Sequence, residues 1–296
     1  MRKAPFTVAI ALATCIPSSA FAWGISAHRF IMTRAIDLLP PPLKPFFDHV
    51  REEVVLRVID PDLWRTVGWE EDRNHFLDFG VPEYGPYPFM ALPREYGAAI
   101  EKFGMTTLAR NGLLPWRAAE EFGNLRRAFE GFARGSPYAP HDTALFAAIV
   151  AHYVQDARQP FHATNNYDGQ LTGQTGLHAR FESDLFDLFQ SRMMIEAARP
   201  VAVTSPRDAI FDSLLSGHQL VQPLLDGDKR AVAGKDTYDD EYYEKFFASA
   251  RQILERRLSE SITTTAAFII GAWEQAGKPT PQIKLPRTIQ KVRSPK

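Results

Sequence analysis

The chain has 296 residues, 45% of them apolar and 12% aromatic, with a formal net charge of −1. This balance excludes a disordered chain and the basic footprint of a duplex-DNA binder, and it supplies enough apolar surface for one large domain. The single cysteine is Cys15; it falls within the apolar leader of the chain, so packing or metal, not disulfides, must hold the fold.

The first 22 residues carry Arg2 and Lys3, an apolar run from Phe6 to Ala13, and small residues ending Ala20-Phe21-Ala22. A basic start, a short apolar stretch and an A-x-A site predict a secretory signal cleaved after Ala22, and hence export to the periplasm or the exterior. Leu12-Ala13-Thr14-Cys15 fits a lipoprotein-type site poorly, because threonine precedes the cysteine. Cleavage leaves a chain of net charge −3 that begins at Trp23, with a free α-amine able to donate to a metal and His28 five positions on.

Apolar spacing then predicts helices at 31–39, stopped by Pro40-Pro41-Pro42, and at 46–58. Residues 60–95, rich in Asp, Gly, Pro and aromatics, read as a long irregular loop. Helices follow at 98–112, 118–134 and 142–155, then a polar loop at 163–176 and a helix from 178 to about 198. Further helices are predicted at 206–225, 240–259 and 262–275, before a Pro- and Lys-rich tail (278–296) expected to fray. No repeat and little strand alternation appear. The fold class is therefore all-α, with residues 23–277 as a single multi-helix domain.

The chemistry concentrates in Ala151-His152-Tyr153-Val154-Gln155-Asp156-Ala157-Arg158-Gln159-Pro160-Phe161-His162. His152 and Asp156, four apart, project from one face of an apolar helix, and His162 follows just beyond the proline that ends it. Sixteen residues later His178 and Glu182 repeat the His-x3-acid spacing. Buried carboxylates beside imidazoles cost several kcal/mol unless a cation compensates them, and this donor set suits zinc. Upstream, Asp60-Pro61-Asp62-Leu63-Trp64-Arg65 offers acids and a cation, and Arg73-Asn74-His75 a further histidine. Alone, Asp-Pro-Asp is a turn signal. His49, His141 and His218 lie outside this pattern and read as surface or capping residues.

The order Trp23, His28, Asp, His75, His152-x3-Asp156-x5-His162, His178-x3-Glu182 resembles the zinc-dependent phospholipase C and single-strand-specific zinc nuclease superfamily, over nearly all of the chain after Ala22. The resemblance implies an all-α domain holding three zinc ions in a cleft. It implies one ion on the Trp23 amine and carbonyl, His28 and a shared Asp156. It places a second on Asp62 or Asp60, His75, His152 and Asp156, and a third on His162, His178 and Glu182. Asp62 is preferred, because Asp62-x-x-Arg65 resembles an Asp-x-x-basic pattern of the nuclease branch; Asp60 is then a capper.

Closely spaced dications lower the pKa of water to roughly 7, so that a zinc-held hydroxide can attack phosphorus, with Asp62 handling the proton and Arg65 clamping the phosphate. Glu182, Tyr87-Pro88-Phe89 and the Gly176–Glu182 run resemble the phospholipase branch. The short step from Trp23 to His28 and Arg65 resemble the nuclease branch, and His75-Phe76-x-Asp78 resembles both. An aromatic choline cage is not visible, since Leu63 (or Pro61, if Asp60 is the ligand) and Asp72 stand where it would be built. The expectation is a monomeric, secreted hydrolase acting on a phospholipid headgroup. Single-stranded nucleic acid is the alternative substrate, and a catalytically silent zinc-stabilised binding protein the third reading.

Overall fold

The computed structural model describes residues 23–234 and 236–283; the predicted signal segment, Cys15 and residues 284–296 lie outside the described residues. Within them the regular structure is helical, with no strand. No described helix is long and apolar enough to cross a membrane.

Helix α8 (Ala139–Asp156) organises the molecule. Pro140 opens it, where a missing N–H costs nothing, and Asp142 complements the positive end of the helix dipole. Ala144, Ala147, Ala148 and Ala151 keep its surface low enough for neighbours to approach closely. From Ala147 through Ala157 every residue is buried, the signature of a helix enclosed on all faces. It is enclosed by α1 (Ile25–Asp37), α3 (Arg51–Arg57), α7 (Leu114–Ala133) and α12 (Asp240–Gln275). The carbonyls just beyond its end are not left orphaned. The fully buried Arg257 of α12 donates from Nε to Arg158 O at 2.6 Å and from Nη2 to Ala157 O at 3.4 Å, which supplies cationic capping at a helix C-terminus.

Several boundaries differ from the sequence reading. The first helix begins at Ile25, six residues early, so His28 is helical; the buried Trp23 anchors its start. The stretch 46–58 is two short helices, α2 (Lys44–His49) and α3. Part of the expected loop 60–95 is α4 (Asp60–Thr66), because Pro61 at a first helical turn favours a helix rather than breaking it. The expected helix 98–112 is broken by Gly104 into α5 (Tyr96–Phe103) and α6 (Met105–Asn111). The α11 helix (Pro206–Val232) runs one to two turns longer than expected.

The helix expected to reach 198 ends near Phe189: α9 (Leu177–Ala179), a π-turn (Arg180–Asp184) and α10 (Leu185–Phe189) form it. Beyond it the chain is extended along α12. Met194, Glu196 and Ala198 donate their N–H groups to Glu255, Ser259 and Thr263 at 2.7, 3.1 and 3.0 Å. Two extended residues span roughly the same distance as one turn of helix, so alternate amides meet successive turns. The two helices expected at 240–259 and 262–275 are one, α12, since nothing between them breaks a helix. Ser259, Thr263 and Thr264 return their hydroxyls to carbonyls four residues back.

Candidate metal centre

The end of α8 is the floor of the site. His152 and Asp156 lie one turn apart and are fully buried, and α1 lays His28 beside them. The segment around His75 is pinned by main-chain bonds. Leu113 N donates to Arg73 O at 2.6 Å, Asp78 N to Asn111 O at 2.7 Å, and Leu77 N to His162 O at 2.9 Å. The turn at Gly112 has φ +99°, and a Cβ there would overlap the Phe76 carbonyl, so only glycine fits. Residues 160–163 form a 3-10 turn, with Pro160 preventing α8 from continuing and the Gln159 side chain accepting from Phe161 N.

Three groups of donor atoms result. In one, His75 Nδ1, His152 Nε2 and Asp156 Oδ2 converge, with separations of 3.0 Å (His75–Asp156), 3.0 Å (His152–His75) and 3.2 Å (His152–Asp156). Asp62 Oδ1 stands 3.8 Å from the first and 3.9 Å from the second. Metal bonds of about 2.0–2.1 Å in a tetrahedron would separate donors by about 3.3 Å, the middle of this range. In the second, His28 Nε2 faces Asp156 Oδ1 at 3.4 Å with His152 as the third donor residue, so the Asp156 carboxylate reaches both groups. In the third, His178 Nε2 lies 3.1 Å from His162 Nε2 and 2.9 Å from Glu182 Oε2. Each of the three groups is buried and could hold a metal ion.

The hydrogen-bond inventory supports that fit. His28 Nε2, Asp62 Oδ2, Asp156 Oδ1 and Glu182 Oε1 are all buried with no hydrogen-bond partner. Such atoms are uncommon in a folded protein, and a cation between His28 Nε2 and Asp156 Oδ1, which face each other at 3.4 Å, accounts for that pair. His152, His162 and His178 meanwhile direct Nδ1 at the carbonyls of Val58, His75 and Tyr167, at 2.9, 2.7 and 3.0 Å. A carbonyl only accepts, so Nδ1 carries the proton and Nε2 is free to coordinate. His152 thus has one ligating nitrogen, which can serve one ion although two donor groups lie within its reach.

Electrostatics follow the same geometry. Burial opposes a proton on His152, but the carboxylates of Asp156 and Asp62 outweigh it and lift the imidazole to about 9. Burial likewise works against ionised Asp156, yet the surrounding imidazoles, His152 foremost, hold it well below the usual carboxylate range. Burial drives His162 far down, keeping it neutral. His178 is raised, since Glu182 overcomes its desolvation. Desolvation leads in raising Glu182.

Of the residues singled out from the sequence, His28, Asp62, His75, His152, Asp156, His162, His178 and Glu182 come together. Asp60 does not; it pairs with Arg57 Nε at 3.1 Å. Trp23 is fully buried, its indole N–H donating to Gln155 O at 2.8 Å. The ligand role expected of its amine depends on a cleavage whose segment lies outside the described residues. Arg65 lies 3.5 Å from Asp62 Oδ1 and 2.5 Å from Asp72 Oδ1. With Phe76, Asp78 and Tyr167 it walls a cleft of about 500 Å³ onto which His75, His162 and His178 open. Asp78 is pushed up to about 7 by burial.

His49 and His141 are exposed. His218 departs from the surface reading: it is half-buried, donates to Ala163 O at 2.8 Å and packs edge-on against Phe79 and Phe89. The sequence reading passed over Gln155 and Gln159. Gln159 donates to Glu182 Oε2 at 2.9 Å, and Gln155 Oε1 meets His28 Nδ1 at 2.6 Å. A signal for Gln155 did exist, since it stands three residues after His152 on the same helical face. The chain matches no protein-family model and no curated protein.

Proposed function

We propose that the protein is an exported, zinc-dependent hydrolase of phosphodiesters, of the phospholipase C type within the zinc phospholipase C and single-strand nuclease superfamily. The observation that carries this reading is the Asp156 carboxylate, which turns one oxygen to His28 and the other to His75 and His152. A carboxylate shared between neighbouring cation-sized donor sets is suited to two-metal phosphoester chemistry. Imidazole and carboxylate donors at near-tetrahedral separations favour zinc. Bound zinc would supply Lewis acidity and acidify water.

The residues of the chain do the rest. Asp62, with Oδ2 unpartnered, is placed to orient or accept a proton beside His75 and His152. Arg65 reaches the same carboxylate from the cleft wall, where its fixed charge suits a phosphate oxygen. Burial of the donors keeps the local dielectric low, which strengthens these interactions.

Glu182 supports the phospholipase branch. The nuclease branch is a second reading, favoured by Phe76 and Tyr167 in the cleft wall beside Arg65 and Arg110, a lining suited to stacked bases and phosphates. The test is incubation of the protein, with and without chelator, with short-chain phospholipid and with single-stranded nucleic acid. Chelator-sensitive release of a phosphorylated headgroup is expected. Cleavage of the nucleic acid alone would move the protein to the second reading, and a fully zinc-loaded sample inert on both would make it a binding protein.

A further inference from the structure

Building on the zinc reading, we infer that Gln155 is a positioning residue that governs loading of the cation site at His28. His152, His162 and His178 have their protons placed by main-chain carbonyls, which any residue at Val58, His75 or Tyr167 would supply. His28 differs. Its Nδ1 meets a side chain, Gln155 Oε1, at 2.6 Å. A primary amide can present either its oxygen or its NH2 group to an imidazole. Only the oxygen holds the proton on Nδ1 and leaves Nε2 as a lone pair facing Asp156 Oδ1.

Two further features tie Gln155 to this site. It is fully buried, and its own carbonyl accepts the indole N–H of Trp23 at 2.8 Å, so one residue holds both neighbours contributed by the start of the described chain. The His28 ring also stacks on His152, with centroids 4.4 Å apart. Stacking sets the plane of the ring but not the position of its proton. Among the imidazoles that turn Nε2 to a cation group, His28 alone depends on a replaceable side chain for its proton placement, so its site can be weakened separately from the other two.

The test is titration of the metal-stripped protein with Zn²⁺ alone, measuring stoichiometry and affinity for the wild type, Gln155→Met and Gln155→Glu. The methionine keeps volume but offers no comparable acceptor, and the glutamate keeps one. Expected is a loss of about 10–100-fold in affinity at one site in Gln155→Met, with the other two unchanged, and rescue in Gln155→Glu. Melting of the metal-stripped variants separates this effect from a folding defect. Should the methionine variant not fold, nitrogen shifts of His28 in the metal-stripped wild type decide: a proton on Nε2 alone overturns the inference. So does unchanged loading of Gln155→Met, or Gln155→Glu binding as weakly as Gln155→Met. A wild type that takes up no zinc overturns the metal reading itself, and the inference with it.

Discussion

Asp156 and His75, 81 positions apart in the chain, meet at 3.0 Å between Oδ2 and Nδ1. The other oxygen of the same carboxylate faces His28. No other acid in the cluster reaches two donor groups, so the first two sites depend on Asp156 together. Asp156→Asn keeps the shape and removes the charge. Metal content is expected to fall by two ions, and phosphodiester hydrolysis by on the order of 10³-fold, the rate equivalent of several kcal/mol of lost electrostatic stabilisation. Retention of all three ions by elemental analysis would show that the carboxylate is not shared.

The charge pattern predicts how pH acts on the metal-free protein. His152 is held at about 9 in the fold, above its unfolded value of roughly 6.5. Its proton therefore stabilises the fold fully below about pH 6.5, and that contribution disappears as pH climbs to about 9. Asp156 is depressed, so its contribution is present above about pH 3.9 and is lost on acidification through its lowered folded value. Thermal melts of chelated protein should show stability declining from pH 6.5 to 9. A flat profile would contradict the His152–Asp156 coupling.

On the zinc reading proposed above, an incoming ion has to displace the same His152 proton. Affinity should rise about tenfold per pH unit between pH 7 and 9 for the site that uses His152, one proton being released. Competition titrations at three pH values measure the slope. Saturation at a thousand times the dissociation constant should stabilise the protein by about 4 kcal/mol per independent site, lost on chelation.

Gly112 holds the His75 segment from behind. Gly112→Ala places a side chain at positive φ and drives it into the Phe76 carbonyl. Destabilisation of about 2–4 kcal/mol is expected, together with weaker loading of the site that uses His75. Chemical unfolding with parallel metal titration measures both, and a neutral substitution would mean that the backbone yields freely here.

Arg65→Met tests the cleft wall while leaving every donor residue in place, though it removes the 3.5 Å contact to Asp62 Oδ1. Metal stoichiometry should be unchanged, while kcat/KM for a phosphodiester falls by about 10²-fold. If zinc content falls as well, Arg65 acts through Asp62 rather than on a substrate.

Much of the centre was legible because helical spacing is local. His152 and Asp156 share a face whatever surrounds them, as do His178 and Glu182, although a π-turn lies within the second pair. Prolines were less legible. Pro160 ends a helix but Pro61 begins one, and the difference depends on the chain to either side of each. The break expected near Glu260 is absent because no Pro or Gly lies there, and the Ser and Thr hydroxyls are accommodated by bonds to carbonyls within α12. The helix expected to reach 198 gives way to an extended run because acceptors on α12, about 60 residues away in sequence, capture its amides.

The amino-acid sequence by itself determined the helical class, the two His-x3-acid pairs and the pool of donors around them, since composition and periodicity act over a few residues. Only the tertiary structure decided which donors meet. It chose Asp62 over Asp60, turned Asp156 toward both His28 and His75, and set the imidazole protons through carbonyls and one glutamine. These are contacts between segments tens of residues apart, fixed by packing around α8, and no local pattern encodes them.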